Sequence, residues 1–139
     1  MTTITPVNGG SDAKSGGVVS FRLARQRTVD AYRRGHRLTS EVCDAQPELR
    51  RVAHHHGAAA AEPCPICDAD DLVSVLFAFG QGLPKSGRCV TDQRELRRIK
   101  ARGRPSECYR IEVCCQCWWN HVLESFRLSG TEGPLSAAQ

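Results

Sequence analysis

Residues 109–128, YRIEVCCQCWWNHVLESFRL, decide how the chain reads. Tyr109, Ile111 and Val113 alternate with Arg110 and Glu112, the period-two pattern of a strand with one apolar and one polar face. Trp119 to Leu128 follows as the hairpin partner, with Leu123 and Glu124 interrupting its alternation. Between the two strands, where the hairpin must turn, stands Cys114-Cys115-Gln116-Cys117. A Cys-x-x-Cys turn folds back on itself and aims two thiolates at one ion.

Working outward, a matching unit, Cys64-Pro65-Ile66-Cys67, precedes a second strand. That strand, Leu72 to Phe79, carries Val73, Val75, Phe77 and Phe79 on one face and Leu72, Ser74, Leu76 and Ala78 on the other. Two such knuckles supply the four sulfurs of a tetrahedral structural site, in the layout of a zinc ribbon. The spacing predicts one structural Zn²⁺ held by Cys64, Cys67, Cys114 and Cys117. Four thiolates leave no open position for a substrate water, so the site reads as structural. The backbone after a knuckle turns towards positive φ, where Gly is suited best. Asp68 tolerates that conformation, whereas Trp118 predicts strain or a different turn.

The remainder predicts an α+β protein: short N-terminal helices, then a zinc-ribbon-like antiparallel β-subdomain with an inserted helix. Residues 1–20 and 129–139 read as flexible tails, 21–57 as a helical segment and 62–128 as the zinc-ribbon-like domain. Phe21 to Arg34 has helical spacing at Phe21, Ala24, Thr28 and Tyr32, with Gly35 as the stop. A short helix opens at Thr39 or Ser40 and carries Val42 and Cys43 inward. Pro47 suits the first position of a helix running to His56, with Leu49 and Val52 on its buried side and Gly57 closing it. Asp92 with Glu95 resembles a capping box, opening the inserted helix that ends near Arg102 and buries Leu96 and Ile99.

Eight cysteines sit in a chain whose N-terminus, MTTITPVNGGSDAKSGG, lacks the apolar core of a signal peptide. The expectation is a cytoplasmic protein with reduced thiols and metal chemistry rather than disulfides. No apolar run approaches the roughly 18 residues of a membrane span. Pro63-Cys64-Pro65-Ile66-Cys67 contains half of a zinc-deaminase signature, yet no His-x-Glu precedes it at the required offset. With no paired carboxylates, nucleophile–base set or phosphate loop, no enzyme and no small-molecule substrate are expected. Cys43 and Cys89 read as small buried hydrophobes, and Cys108 and Cys115 are likewise not ligands. His54, His55 and His56 project about 100° apart on a helix, so they cannot all face one ion. They suit the negative end of the helix dipole.

The net charge of +4 is unevenly spread. Residues 21–37 hold six Arg against one Asp, and residues 88–104 six Arg and one Lys against Asp92 and Glu95. Arg94, Arg97, Arg98 and Arg102 fall near one helix face, and Arg suits phosphate contacts. With Trp119 as a stacking surface, these residues are the expected contacts to RNA or DNA. The resulting expectation is a non-catalytic zinc-binding adaptor docking on nucleic acid, or on a transcription or ribosomal protein. The alternative is a zinc-stabilised protein–protein module without nucleic acid contact.

Thr39 to Leu49 (TSEVCDAQPEL), Glu62 to Cys67 (EPCPIC) and Val113 to His121 (VCCQCWWNH) resemble an actinobacterial family of small uncharacterised proteins. The resemblance extends over about residues 23–128. It implies a helical part joined to a zinc-ribbon-like half, a mycobacterial or related cytoplasmic source, and no activity or substrate. The family pattern has Gly where this chain has Trp118.

Overall fold

The computed structural model describes residues Ser15–Ser129. Four helices lie against an antiparallel sheet of six strands: β1 (Ser15–Ser20), β2 (Ala58–Ala59), β3 (Leu72–Gly80), β4 (Arg88–Val90), β5 (Ser106–Cys114) and β6 (Asn120–Leu128). The strand order is β1-β6-β5-β3-β2, with β4 also paired to β3. The helices are α1 (Arg22–Arg33), α2 (Thr39–Val42), α3 (Pro47–His56) and α4 (Gln93–Lys100).

The backbone chemistry of each helix sets its limits. Pro at the first position opens α3, and its missing N–H is one that no helical carbonyl would have accepted. The Asp92 side chain accepts from Glu95 N at 2.8 Å and caps α4, while Glu95 itself turns to Arg88 at 2.6 Å. Gly35, at φ +79°, follows the end of α1.

Alternation along β3 and β5 divides the core between two faces. On one face α4 packs Leu96 and Ile99 against Leu76, Ala78, Cys108, Phe126 and Leu128. Further along the same face, Val29 of α1 and Val42 of α2 meet Leu72, Cys64, Cys114 and Trp119. On the opposite face α3 packs Val52 and Ala53 against Val75, Phe77 and Val113. Helical and strand regions thus share one sheet, with the knuckles at one end of it.

Three expectations are corrected. Ser15–Ser20, read as part of an unstructured tail, forms β1 and pairs with β6, Val19 opposite Ser125 and Ser20 opposite Glu124. Residues 1–14 and 130–139, the remainder of the expected tails, lie outside the described residues. The one-sided burial expected of β5 also fails: Val113 is buried as expected, but Arg110 and Glu112 on the polar face are buried too, while Tyr109 and Ile111 are half-buried. Both faces of this strand are covered, and each buried charge finds a partner, which makes its burial tolerable. Arg110 Nε donates to Glu124 Oε2 at 3.0 Å, and Glu112 Oε2 accepts from Arg25 Nε at 2.6 Å and Trp119 Nε1 at 2.7 Å. The third correction concerns α1, whose inward side carries Val29 and Arg25 rather than the exposed Ala24.

The interruption at Leu123 and Glu124 has a structural counterpart. Arg110 opposes Glu124 and Ile111 opposes Val122, leaving Leu123 as the extra residue of a bulge. Its carbonyl accepts from Phe21 N at 2.9 Å, the bond that seats the chain as it passes from β1 into α1.

Candidate metal centre

The two knuckles are built alike. In the first, Asp68 N donates to Cys64 O at 2.9 Å and Cys64 N to Ala69 O at 3.0 Å. In the second, Trp118 N donates to Cys114 O at 2.9 Å and Cys114 N to Trp119 O at 2.8 Å. The leading sulfur of each receives two backbone amides: Ile66 N and Cys67 N reach Cys64 Sγ at 3.3 and 3.5 Å, and Gln116 N and Cys117 N reach Cys114 Sγ at 3.3 and 3.4 Å. At Cys64 these amides act against burial, the larger effect, which disfavours the thiolate. Cys115 N donates to Asp71 O at 3.0 Å and joins the second knuckle to the strand that leaves the first.

Asp68 and Trp118 take φ of 67° and 71°. The second knuckle therefore keeps the turn of the first despite its bulky residue. Ala45 N donates to Trp118 O at 3.2 Å, and the Arg50 guanidinium lies 5.2 Å from the centre of the indole.

Cys64, Cys67, Cys114 and Cys117 come together, their sulfurs all within 4.8 Å of one another, and could hold a metal ion. Cys64 and Cys117 are 3.8 Å apart and Cys67 and Cys114 3.6 Å. Among the described residues this is the group of His, Cys, Asp and Glu donors so arranged. Burial pushes the Cys64 thiol up to about 11 and raises Cys117 as well. At Cys67 burial acts in the same sense but is outweighed by the Ala69 amide and the neighbouring thiols, which hold it below the ordinary thiol range. An ion entering the group must displace whatever protons these sulfurs carry.

The expected nucleic-acid contacts are not all available. Arg94, Arg97 and Arg98 are exposed on α4. Arg102 is half-buried and donates through Nη2 to Gln81 O at 2.6 Å. Trp119 is 0% exposed, with its Nε1 committed to Glu112, so it offers no stacking face and is removed from the candidate contacts. His54, His55 and His56 are exposed at the end of α3 and belong to no donor cluster. His121 stacks on Trp119 at 5.8 Å and bonds through Nδ1 to the carbonyl of Val122.

Residues 13–138 match a family of unknown function, DUF5318. The chain belongs to that family. Uncharacterised proteins of Mycobacterium bovis and Mycobacterium tuberculosis are 33% identical to it over 110 residues, covering 79% of this chain and 80% of each relative. No solved structure matches it. Among the described residues no helix is long and apolar enough to cross a membrane.

Sequence reasoning found the four clustered cysteines and missed two groups beside them. Cys43, read as a bystander, lies with its sulfur 3.4 Å from Cys117 Sγ. The Arg25–Glu112–Trp119 network was hidden because a charged residue in an alternating strand reads as solvent-facing. Only the position of Cys43 within the quoted TSEVCDAQPEL segment set it apart from Cys89 and Cys108.

Proposed function

We propose that this member of the family is a non-catalytic, zinc-ribbon-like cytoplasmic adaptor, holding one structural Zn²⁺ on Cys64, Cys67, Cys114 and Cys117 and docking on nucleic acid through α4. The observation that carries the reading is the convergence of four sulfurs from two matched knuckles. Zn–S bonds of about 2.3 Å in a tetrahedron require sulfurs about 3.8 Å apart. The spacings of 3.8 and 3.6 Å fit that requirement. Zinc would supply cross-linking of the knuckles, and a fully thiolate-bound ion offers no site for substrate. Docking is supported by the exposed Arg94, Arg97 and Arg98, whose guanidinium groups suit phosphodiester oxygens. Without Trp119 the expected mode is backbone contact rather than base stacking.

The purified protein should carry about one equivalent of zinc and lose it to a strong chelator. Zinc content unchanged by Cys64→Ala with Cys117→Ala would sink the metal assignment. Nucleic acid affinity should fall steeply with salt, and replacing Arg94, Arg97 and Arg98 together should flatten that slope by about 2 to 3. Salt-insensitive association, or none, overturns the nucleic acid half. A protein partner without nucleic acid is then the reading, supported by Leu23 and Leu38, which are 66% and 65% exposed.

A further inference from the structure

Five thiols, not four, meet at the knuckle end of the sheet. The fifth is Cys43, immediately after α2. Its position is built: Cys43 N donates to Thr39 O at 2.8 Å, Ala45 N to Trp118 O at 3.2 Å, and Asn120 Nδ2 to Asp44 Oδ1 at 3.0 Å. These bonds dock the 43–45 turn on the second knuckle and bring Cys43 Sγ to 3.4 Å from Cys117 Sγ. That is closer than either sulfur pair quoted within the four-cysteine group. A tetrahedral ion uses four thiolates, so a bound metal leaves Cys43 as a free thiol touching one of its ligands. Cys67 is exposed, Cys43 and Cys117 are half-buried, and Cys64 and Cys114 are closed off; of the reachable ligands, Cys117 is the one in contact with a thiol outside the group. A small oxidant therefore reaches this pair more readily than it reaches the leading sulfur of either knuckle.

We propose that Cys43 and Cys117 are a modification site: a hydroperoxide oxidises Cys117, and Cys43 resolves it as a Cys43–Cys117 disulfide, removing one ligand from the metal. The release of metal rests on the zinc reading above; the disulfide does not. In the first step the Cys117 thiolate attacks the peroxide, an S–O bond forms and the O–O bond breaks. With hydrogen peroxide the leaving hydroxide takes a proton from solvent to become water, and Cys117 is left as sulfenic acid. In the second step the Cys43 sulfur attacks that sulfenic sulfur, the S–S bond forms, and the S–O bond breaks. The departing oxygen, carrying its own hydrogen, takes the Cys43 proton and leaves as the second water. Two electrons, one from each sulfur, have reduced the peroxide. Contact between the sulfurs makes the second step effectively unimolecular. The ligands Cys64, Cys67 and Cys114 would each have to leave the ion before doing the same, and Cys43 does not. The metal is left with three thiolates and becomes open to a competing chelator.

The test uses the full chain, assayed first for zinc, then exposed to hydrogen peroxide with a chromogenic chelator present, followed by alkylation and disulfide mapping. The first disulfide should be Cys43–Cys117. Cys43→Ser should form no disulfide at Cys117 and should accumulate over-oxidised Cys117. Cys115→Ser, which alters a nearby thiol outside the four-cysteine group, should match the wild type. No increase in over-oxidised Cys117 in Cys43→Ser, or a first disulfide within either knuckle, overturns the proposal. If the purified chain holds no zinc, the metal reading fails by itself, and mapping on that chain still supports or overturns the Cys43–Cys117 pairing.

Discussion

Trp118 holds a bulky side chain at φ 71°, in the left-handed region that costs a non-glycine residue roughly 1–2 kcal/mol. Three things offset that cost: the bond from Ala45 N to its carbonyl, the Arg50 guanidinium over its ring, and packing with the cluster beneath α3. Replacing the indole should therefore destabilise the protein, but the two smallest replacements should fall in an unusual order. Trp118→Gly should be more stable than Trp118→Ala by about 1 kcal/mol in a denaturant titration, because Ala retains the backbone strain. The ordinary order, with Ala the more stable, would mean that the turn relaxes out of the left-handed region. A second residue-scale effect concerns Cys108, which burial pushes up to about 12. Its folded value lies above the ordinary 9.0, so its contribution is fully present below pH 9 and is lost as pH rises from 9 towards 12. The loss should approach about 1.4 kcal/mol per pH unit in that window, and Cys108→Val should flatten it. Alkaline melting that is unaltered by the substitution would assign the loss to other groups. Trp118 was legible in the sequence as a misfit after a knuckle. The place of Cys43 was not, since it depends on the docking of α2 against a turn distant in sequence.

β5 shows what an alternating strand does and does not reveal. Tyr109, Ile111 and Val113 announce a strand correctly, yet the side that faces α1 and α4 carries Arg110 and Glu112. Which face is buried depends on the partners, and these lie 87 positions away for Arg25 and 14 for Glu124. Once buried, each charge must keep its partner. Glu112→Gln preserves an acceptor for Trp119 Nε1 while leaving the Arg25 guanidinium, only 16% exposed, without its counter-charge. The expected cost is about 3 kcal/mol, measured as a shift in denaturant midpoint. Adding Arg25→Met should recover much of it, since removing both charges ends the desolvation penalty. A Glu112→Gln variant as stable as the wild type would place this pair in effective contact with solvent. The same dependence on partners explains the short strands. SGGVVS at Ser15–Ser20 has the composition of a tail, and β2 and β4 are two and three residues long. All three are strands because β6 or β3 supplies their hydrogen bonds. α3, by contrast, has its start and stop in its own residues, Pro47 and Gly57, and was legible over its whole length.

At the scale of the molecule the sheet has two ends with different sources of order. Around α4, Leu96, Ile99, Leu76, Phe126 and Leu128 form a continuous apolar cluster that owes nothing to the cysteine group. At the other end Cys64 and Cys114 are themselves walls of the cluster that encloses Val29, Val42, Leu72 and Trp119. If the group holds an ion as proposed, removing it would leave sulfurs packed at 3.6 and 3.8 Å with only backbone bonds, such as Cys115 N to Asp71 O, to tie the two knuckles together. Chelation should then loosen one end before the other rather than unfold the chain in a single step. Both tryptophans, Trp118 and Trp119, lie at the knuckle end, so tryptophan emission reports that end alone. The expected sequence on adding chelator is a red shift of tryptophan emission and loss of amide protection over residues 111–120. Protection in α4 and in residues 106–110 of β5 should persist under the same conditions, because their packing partners remain in place. Simultaneous loss of protection at both ends would show that the metal supports the whole sheet. Unchanged emission after complete metal removal would show that the knuckles hold their shape through the backbone bonds of Cys64, Cys114 and Cys115 alone.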